Sequence, residues 1–412
     1  MFKIGIIGFG TVGTGVYERL EQSKELLKRQ LGADFEVRAI LVKDRQKSRA
    51  EVATTLVTTE WKTFLQASSY DLIFEAIGGI EPAYTYSTTF LKQGIPVVTA
   101  NKKLVAERGE ALELAAAENG TYYGYEAAVA GGIPIINALK GTLASTSISR
   151  IAGILNGTTN YMLTEMLEYQ RGFAEVLKEA QELGYAETDP TDDIEGYDAW
   201  YKIRILSRLC FGKWPEKDDF VRQGLSNLED WHVELGQRIG LRLKLIGESQ
   251  LDSNGEVKGF VAPAFLTKEQ PLANVSGVLN GISVEGDKVG QLLFIGPGAG
   301  KEATANSMVE DFLFHERYKG ERLGVYSRKK EQPIEHILLF IHQSQREHAL
   351  SWVKDEEIPV LNTYSHQSGE AWLLLASKPF DIPYPFYRVY GKVHEPSEQQ
   401  TTELTQFGPV YL

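Results

Sequence analysis

Short apolar segments alternate with amphipathic segments along the first third of the chain. Residues 3–8 are predicted to form a buried strand, residues 14–30 an amphipathic helix and residues 35–42 a second strand. Two further apolar segments, at residues 70–83 and 94–109, repeat this rhythm. Strands that alternate with helices are typical of a parallel sheet covered by helices, so the pattern predicts an α/β domain.

A glycine-rich turn follows the first predicted strand directly. The sequence "GFGTVG" at residues 8–13 has the GxGxxG spacing, and it lies between a strand and a helix within a βαβ unit. In that setting the glycines allow a tight turn and close approach of a pyrophosphate to a helix N-terminus. The segment therefore predicts a Rossmann-type dinucleotide-binding domain; the alternative is a tight turn without a ligand.

The end of the second strand indicates the cofactor. Lys43 and Arg45 flank Asp44 there. A basic residue at this point accepts a ribose 2′-phosphate, whereas an acidic residue binds a 2′-hydroxyl. The pattern favours NADP, while Asp44 keeps NAD possible, and exposed turn charges are the alternative explanation.

The segment at residues 94–109 places Asn101 and Lys102 after a predicted strand. Ligands of open α/β sheets bind at the carboxyl ends of the strands. Lys102 is therefore a candidate for the junction of cofactor and substrate, and its neighbour Lys103 is the better candidate for a solvated lysine.

The middle of the chain contains two further candidate features. "YEAAVAGGIPII" at residues 125–136 combines Glu126 with small residues, and its carbonyl oxygens could converge on a hard cation. A tight crossing between domains is the simpler alternative. Residues 148–167 predict a strand, an Asn-Gly turn and an amphipathic helix, with Thr158 at the helix start.

An unusually acidic segment follows. Residues 182–202 contain seven carboxylates and one lysine, and Asp198 and Lys202 share one helical face because they lie four residues apart. An exposed i,i+4 ion pair is one interpretation. The apolar residues Ile203 and Leu206 favour another, in which the pair is buried and lines a pocket for a cationic substrate. A buried lysine must be paired or have its pKa lowered, and such a lysine can donate a proton near neutral pH.

Composition narrows the possible partners. A chain of 412 residues should form two or three domains. The net charge of −12 argues against nucleic acid and anionic membranes as partners. Cys210 is the only cysteine, and the apolar runs are far shorter than a membrane span, which is consistent with the cytoplasm.

Several segments together resemble the homoserine dehydrogenase family. The segment at residues 180–202, "AQELGYAETDPTDDIEGYDAWYK", is similar to the family's signature, and "GFGTVGTGV", "TANKKLVA", "EAAVAGGIPII", "ILNGTTNYML" and "IGPGAG" are similar to further family motifs in the same order. The resemblance covers about residues 1–320. It implies the reversible reduction of L-aspartate 4-semialdehyde to L-homoserine by NAD(P)H, a step toward threonine, methionine and isoleucine.

The resemblance also implies roles for individual residues. Lys202 matches the proton donor to the carbonyl oxygen, and Lys102 matches a lysine that stabilises the developing oxyanion. The substrate would be bound by Glu187, Asp198, Asp193, Thr158 and Tyr185. The cofactor would be bound by Phe9, Gly10, Thr11, Val12, Lys102, Gly184 and Gly300. A monovalent cation, Na⁺ in most members, would be bound by Glu126 and the backbone at Val129, Gly131 and Ile133.

The domains predicted on this basis are a Rossmann domain at residues 1–130, completed by a returning helix near 300–320, a catalytic and dimerisation domain at 131–300, and a C-terminal domain at 331–412. The last region predicts strand, helix, strand, strand and is similar to an ACT module. The Pro-Gly turn usual after the first ACT strand is replaced by "HQSQRE", so a packing module without an effector is the alternative.

Trp200 and Tyr201 stand between Asp198 and Lys202 and are expected to pack outward.

A homodimer or homotetramer that acts on a small molecule is the favoured assembly. Two other functions stay open at this point: a dehydrogenase for a different amino-acid aldehyde, and a silent dinucleotide-binding regulator.

Overall fold

A computed structural model describes residues 1–44, 52, 55–216, 219–252, 254–319, 326–327, 335–376, 382–391 and 393. Its first layer is a six-stranded sheet in the order β3-β2-β1-β4-β5-β6, with every pair parallel. The elements of this part are β1 (Phe2–Ile7), α1 (Thr11–Gln22), α2 (Lys24–Leu31), β2 (Phe35–Leu41), β3 (Leu56–Thr58), α3 (Trp61–Gln66), β4 (Leu72–Glu75), α4 (Ala83–Leu91), β5 (Val97–Thr99), α5 (Lys102–Glu118) and β6 (Tyr123–Gly124).

The predicted parallel α/β sheet is thus confirmed, and its central strands are buried as their apolar sequence predicts. Ile4, Ile6 and Ile7 of β1 are inaccessible to solvent because helices cover both faces of the sheet. One detail of the prediction is wrong. The helix expected at residues 14–30 is two helices, since the backbone leaves the helical conformation at Ser23. Serine favours helix ends over helix interiors, which fits a break at this residue.

The second layer is a mixed sheet in which β12, β11, β7, β9 and β10 are neighbours. Helices α7 and α10 pack against β9. Helix α7 contains Thr158, and α10 contains Asp198 and Lys202. The elements are α6 (Ile135–Asn137), β7 (Ser147–Ile154), α7 (Gly157–Tyr169), α8 (Phe173–Glu182), α9 (Thr191–Ile194), α10 (Tyr197–Phe211), β8 (Phe220–Arg222), α11 (Asp230–Arg238), β9 (Leu241–Leu251), β10 (Val257–Thr267), β11 (Leu279–Gly286) and β12 (Gly290–Pro297).

Helix α12 (Lys301–Arg317) returns to the first sheet. A Cβ atom added at Gly15 of α1 would lie 3.0 Å from Lys301 and 3.1 Å from Ala305, so the two helices cross closely. Phe312 of α12 packs edge-on against Phe2 of β1, with ring centroids 5.3 Å apart. The expected return of a helix after residue 300 is confirmed.

The C-terminal region continues the second sheet. It consists of β13 (Tyr326–Ser327), β14 (Glu335–His342), α13 (Arg346–Asp355), β15 (Val360–His366), β16 (Gly369–Ala376) and β17 (Phe386–Tyr390). The predicted order of strand, helix, strand, strand is confirmed for β14, α13, β15 and β16. Strand β17 pairs with β14 on one side and, in parallel, with β10 on the other, so one sheet runs through both regions. The ACT-like character and the domain boundaries remain predictions.

Among the described residues, every helix is too short or too polar to cross a lipid bilayer.

Candidate active site

The glycine-rich turn lies between β1 and α1, at the carboxyl edge of the first sheet. Gly8 has φ +93°, and a Cβ atom there would lie 2.6 Å from the Ala76 carbonyl oxygen. A Cβ atom at Gly13 would lie 1.9 Å from the Gly8 carbonyl oxygen, whereas one at Gly10 would have no neighbour within 4 Å. The outer glycines are therefore required by packing, and Gly10 borders open space at the start of α1 where a pyrophosphate binds in such turns.

Lys102, Asp198 and Lys202 meet where the two layers face each other. Lys102 is the first residue of α5, which Asn101 caps by accepting a hydrogen bond from the Leu104 amide at 3.0 Å. Its ammonium pairs with Asp198 Oδ1 of α10. Asp198 Oδ2 lies 2.7 Å from Lys202 Nζ, so one carboxylate binds a lysine from each layer.

Asp198 and Lys202 are buried, as the pocket interpretation of the acidic segment requires. They are 3% and 6% exposed, and the Lys202 ammonium also donates to the Leu155 carbonyl oxygen at 2.7 Å. A surface ion pair is thereby excluded for these two residues. An ammonium has three N–H donors, and the chain accepts two of them from Lys202.

Burial and the neighbouring charges set the pKa values of this group. Desolvation lowers the pKa of Lys202, although Asp198 opposes the shift and Lys102 adds to it. Burial alone would raise the pKa of Asp198, but the two lysines hold it below its ordinary value. Attraction to Asp198 raises the pKa of Lys102. Lys202 is thus the cation of this site that most readily gives up a proton, and Asp198 remains ionised beside it.

Asn156 is a site residue that the sequence analysis did not select. Its side-chain amide donates to Asp193 Oδ1 at 2.7 Å and to Asp198 Oδ2 at 3.0 Å, while its carbonyl oxygen caps α7 through the Thr159 amide at 2.8 Å. Asn160 and Asn280 are further buried amides nearby. The sequence Asn-Gly-Thr-Thr at residues 156–159 could have indicated Asn156, because asparagine is a preferred helix N-cap. Asn156 fixes the two carboxylates relative to the start of α7.

Asp193 joins the same cluster through Asn156. Burial and the Asp198 charge raise the pKa of Asp193, while Asn156, Lys102 and Lys202 oppose that rise. The charges of the two lysines and two carboxylates balance, which offsets the cost of burying Asp198 and Lys202.

Of the remaining predicted substrate residues, Thr158 is buried, whereas Tyr185 and Glu187 are exposed. Thr158 donates to the Tyr185 carbonyl oxygen at 2.7 Å, which connects α7 to the acidic loop. The Tyr185 side chain is 44% exposed and its ring contacts that of Tyr161. Glu187 is exposed and is not among the residues that contact Lys102, Asp198 or Lys202 in the described structure, and Gly184 is exposed with φ +75°. The structure thus brings Lys102, Asp193, Asp198 and Lys202 together and leaves Glu187 at the surface.

The predicted cofactor residues lie around the glycine turn. Phe9 is buried against Tyr17, with ring centroids 5.9 Å apart, whereas Gly10 and Thr11 are exposed and Val12 is half-buried. Gly300, with φ +117°, is the exposed residue before α12. Lys43 and Asp44 are exposed after β2, and Arg45 lies outside the described residues.

The predicted cation residues form a buried segment between the two layers. The Glu126 carboxylate accepts hydrogen bonds from the Ile136 and Asn137 amides at 2.9 and 2.6 Å. Val129, Gly131 and Ile133 are buried close by in the chain, and the Gly131 carbonyl oxygen accepts a hydrogen bond from Ser307 at 2.6 Å.

One expectation about the acidic segment is wrong. Trp200 and Tyr201 do not pack outward; they are 9% and 8% exposed. The Trp200 indole donates to the Phe220 carbonyl oxygen at 3.2 Å, and the Arg204 guanidinium lies 4.5 Å from its ring. These aromatics face inward because α10 is covered on almost every side, so that even its polar residues are buried.

Comparison with known proteins identifies the family. A family model described as homoserine dehydrogenase matches residues 134–313, and one described as the NAD-binding domain of homoserine dehydrogenase matches residues 8–146. The homoserine dehydrogenase of Bacillus subtilis (strain 168) is 40% identical over 324 residues, which cover 78% of this chain and 74% of that protein. The chain belongs to the homoserine dehydrogenase family. It is an oxidoreductase that reversibly reduces L-aspartate 4-semialdehyde to L-homoserine with a nicotinamide cofactor, in threonine and methionine biosynthesis.

Solved structures agree with this assignment. The crystal structure of a homoserine dehydrogenase from Thiobacillus denitrificans is 32% identical, with a TM-score of 0.83, and the alignment covers 94% of this chain and 98% of that one. A hyperthermophilic archaeal homoserine dehydrogenase in complex with NADPH is 26% identical, with a TM-score of 0.66, over 78% of this chain and 99% of that one.

Proposed function

We propose that Lys202 is the proton donor of this homoserine dehydrogenase and that Lys102 stabilises the developing oxyanion. The contact of both lysines with Asp198 is the observation that carries the proposal, since Lys102 follows β5 at the sheet edge that also carries the glycine turn. The bound nicotinamide supplies a hydride to the aldehyde carbon. Within the described residues Lys202 donates two N–H groups, and the third would be available to the substrate carbonyl oxygen. The lowered pKa of Lys202 favours transfer of that proton.

The acidic loop would hold the amino-acid end of the substrate. Asp193 and Asp198 line the buried end of the site, and Glu187 lies on the exposed loop at its rim. A carboxylate at the rim is placed to attract the substrate ammonium while the aldehyde enters toward Lys202. Thr158 and Tyr185 complete this wall, because their hydrogen bond keeps the loop against α7.

The glycine turn, with Phe9, Gly10, Thr11 and Val12, would bind the cofactor pyrophosphate, and Gly184 and Gly300 would contact the nucleotide. NADP is the proposed preference, because Lys43 is exposed after β2 and the archaeal relative is a complex with NADPH.

Two glycine substitutions separate packing from cofactor binding. Gly13→Ala places a methyl group against the Gly8 carbonyl oxygen and is expected to lower the free energy of unfolding by about 1–3 kcal/mol. Gly10→Ala meets no neighbouring atom, so unfolding should be nearly unchanged, whereas the dissociation constant for NADPH should rise at least about tenfold. Urea unfolding of the cofactor-free protein and a fluorescence titration with NADPH measure the two effects. Equal losses of stability in both variants would contradict this assignment.

A monovalent cation, Na⁺ by preference, is proposed at Glu126. The residues fit such an ion: burial and the neighbouring Asp311 raise the pKa of Glu126 to about 8, so a local cation would relieve the cost of its charge. The backbone carbonyls of Val129, Gly131 and Ile133 would supply the other oxygen ligands. An increase of the melting temperature in NaCl over tetramethylammonium chloride at equal ionic strength, lost in Glu126→Gln, would support the site.

We also propose a cytoplasmic homo-oligomer, a dimer or tetramer, without nucleic-acid or membrane partners. Strand β12 is at one edge of the second sheet and leaves Leu292, Phe294 and Ile295 partly exposed, which is the kind of strand that pairs with a second copy. The C-terminal region is proposed to be a packing module, because β17 extends the catalytic sheet. Light scattering of the purified protein reports the assembly.

A steady-state assay tests the proposed cofactor and substrate. NADPH oxidation with L-aspartate 4-semialdehyde is expected to show a higher kcat/KM than NADH oxidation, and both should exceed turnover of the one-carbon-longer glutamate 5-semialdehyde. Faster turnover of the longer aldehyde, or a preference for NADH, would reject the corresponding part of the proposal.

A further inference from the structure

A fully buried carboxylate lies at the carboxyl end of β4, close to the site but outside the Lys102–Asp198–Lys202 group. Glu75 has no solvent exposure. It accepts hydrogen bonds from the Ile77 amide at 2.7 Å and from the Thr99 hydroxyl at 2.5 Å. The ion pairs formed by the described residues do not include Glu75, so the partners of this buried carboxyl group are neutral.

These contacts close into a ring. The Asn101 amide donates to the Thr99 hydroxyl oxygen at 2.9 Å, and the Asn101 side-chain amide donates to the Ile77 and Gly79 carbonyl oxygens at 3.0 and 2.6 Å. Glu75 thus connects to Thr99, Thr99 to Asn101, Asn101 to Ile77, and Ile77 back to Glu75. The ring joins the loop after β4 to the residue that caps α5.

The ring lies between the two parts of the site that must be aligned. On one side, the loop after β4 packs on the glycine turn. A Cβ atom added at Gly8 would lie 2.6 Å from the Ala76 carbonyl oxygen, and the Ala76 amide donates to the Ile7 carbonyl oxygen at 2.7 Å. On the other side, Asn101 precedes Lys102, whose ammonium contacts Asp198. Movement within the ring would change the position of Lys102 relative to the bound cofactor.

An ionised Glu75 accepts both of these hydrogen bonds. The Thr99 hydroxyl oxygen accepts from the Asn101 amide, and its own hydrogen is donated to the carboxylate. The Ile77 amide is also a donor, and both carboxylate oxygens are therefore acceptors. A glutamine at this position would present an amide N–H to one of these donors and would leave it without an acceptor.

We propose that Glu75 is a positioning residue, which through its ring with Thr99, Asn101 and Ile77 holds the loop after β4 and the start of α5 in the arrangement that cofactor and Lys102 need for hydride transfer. The inference rests on the proposed roles of the cofactor site and Lys102. It assigns to Glu75 no contact with the substrate.

The surroundings of Glu75 predict how the ring responds to pH. Burial raises the pKa of Glu75 to about 7, although Thr99 and Ile77 oppose the shift. Ile7 of β1 is apolar, Thr99 of β5 is uncharged, and Tyr123 of β6 is the titratable neighbour. Burial also raises the pKa of Tyr123, so this side chain stays neutral. The ring is therefore complete above pH 7 and loses its anion as the pH falls below 7.

Thr99→Val is the most direct test, because it removes the hydroxyl and keeps the shape of the side chain. A kcat lower by roughly 10- to 100-fold is expected, with a raised KM for NADPH, because small displacements of reacting groups have effects of this size. Thr99→Ser restores the hydroxyl and should recover most of the activity. Thr58→Val is the matched control, since Thr58 is also buried in this sheet and accepts one backbone amide at 3.0 Å, from Glu60.

A second variant tests the charge itself. Glu75→Gln should lower kcat/KM for NADPH at pH 6 and at pH 8. The ratio of the wild-type kcat/KM to that of the variant should be larger at pH 8 than at pH 6. The proposal would be overturned if Thr99→Val had wild-type kinetics, or if Thr99→Val and Thr58→Val lost activity equally. Failure of Thr99→Ser to recover activity would also overturn it, as would a ratio of wild type to Glu75→Gln that does not depend on pH. Low turnover of the wild-type protein itself would instead count against the proposed function, so the two failures are distinguishable.

Discussion

Replacing Lys202 by methionine is expected to lower kcat for reduction of L-aspartate 4-semialdehyde on the order of 10²–10⁴-fold, as loss of a general acid does. Lys202 is 6% exposed, it pairs with Asp198, and burial lowers its pKa. The dissociation constant for NADPH should change by less than about twofold, because the proposed role of Lys202 is toward the substrate carbonyl oxygen and not toward the cofactor. Stopped-flow measurement of NADPH oxidation and a fluorescence titration give the two quantities.

Lys103→Met is the control for this experiment. Lys103 is exposed in the first turn of α5, so removing its charge should leave kcat within about twofold of wild type. Thermal unfolding of both variants separates catalytic loss from loss of folded protein. A Lys202→Met enzyme that is folded and retains wild-type kcat would remove this lysine from the mechanism.

Replacing Asp198 by asparagine is expected to lower kcat/KM by roughly 10²–10³-fold, a typical loss when a group that organises charge in an active site is removed. Asp198 is the shared partner of Lys102 and Lys202 and is 3% exposed. Without its carboxylate the two ammonium groups face each other with less compensation. Lys102 then also loses the attraction that raises its pKa.

The pH profile of Asp198→Asn has a predictable direction. In the proposed mechanism reduction requires protonated Lys202, so the wild-type rate is expected to fall as the pH rises through the pKa of Lys202, which burial places below 10.5. Asp198 raises that pKa by attraction. Its removal should therefore move the alkaline limb of the profile to lower pH. Asp192→Asn is the control, because Asp192 is an exposed carboxylate of the same loop. An unchanged or upward-shifted alkaline limb in Asp198→Asn would contradict this account.

Features that depend on residues close together in the sequence were predicted. The GxGxxG turn follows β1 as expected, and two of its glycines are required because a Cβ atom there would lie under 3 Å from the backbone. The Asp198–Lys202 spacing placed both groups on one face of α10, and the apolar residues beside them indicated burial. The order of elements in the C-terminal region was likewise predicted from the sequence pattern, whereas the return of α12 was predicted from the family resemblance.

Contacts between residues that are far apart in the chain were not predicted. Asn156 binds Asp193 and Asp198, which lie 37 and 42 residues later, and Glu75 binds Thr99 across two neighbouring strands. Such pairs form only once the tertiary structure brings them together. The parallel pairing of β17 with β10 has the same origin, and no periodicity in either strand encodes its partner.

Exposure was the other quantity that sequence predicted poorly. Trp200 and Tyr201 were expected outside, yet α10 is covered on nearly every side, which the sequence of one helix does not reveal. Glu187 carries a predicted role in substrate binding and is exposed in the structure. Its assignment remains a prediction that depends on where the substrate ammonium lies.

A crystal structure of the enzyme with NADP⁺ and L-homoserine would show directly whether Lys202 faces the reacting oxygen. The homoserine hydroxyl oxygen is expected roughly 2.6–3.2 Å from Lys202 Nζ, the reach of a general acid, with the carbinol carbon facing the nicotinamide. The Lys102 ammonium is expected to contact the same oxygen or to remain paired with Asp198. A hydroxyl oxygen bound away from Lys202, with that lysine still held by Asp198 and Leu155, would contradict the proposed role of Lys202.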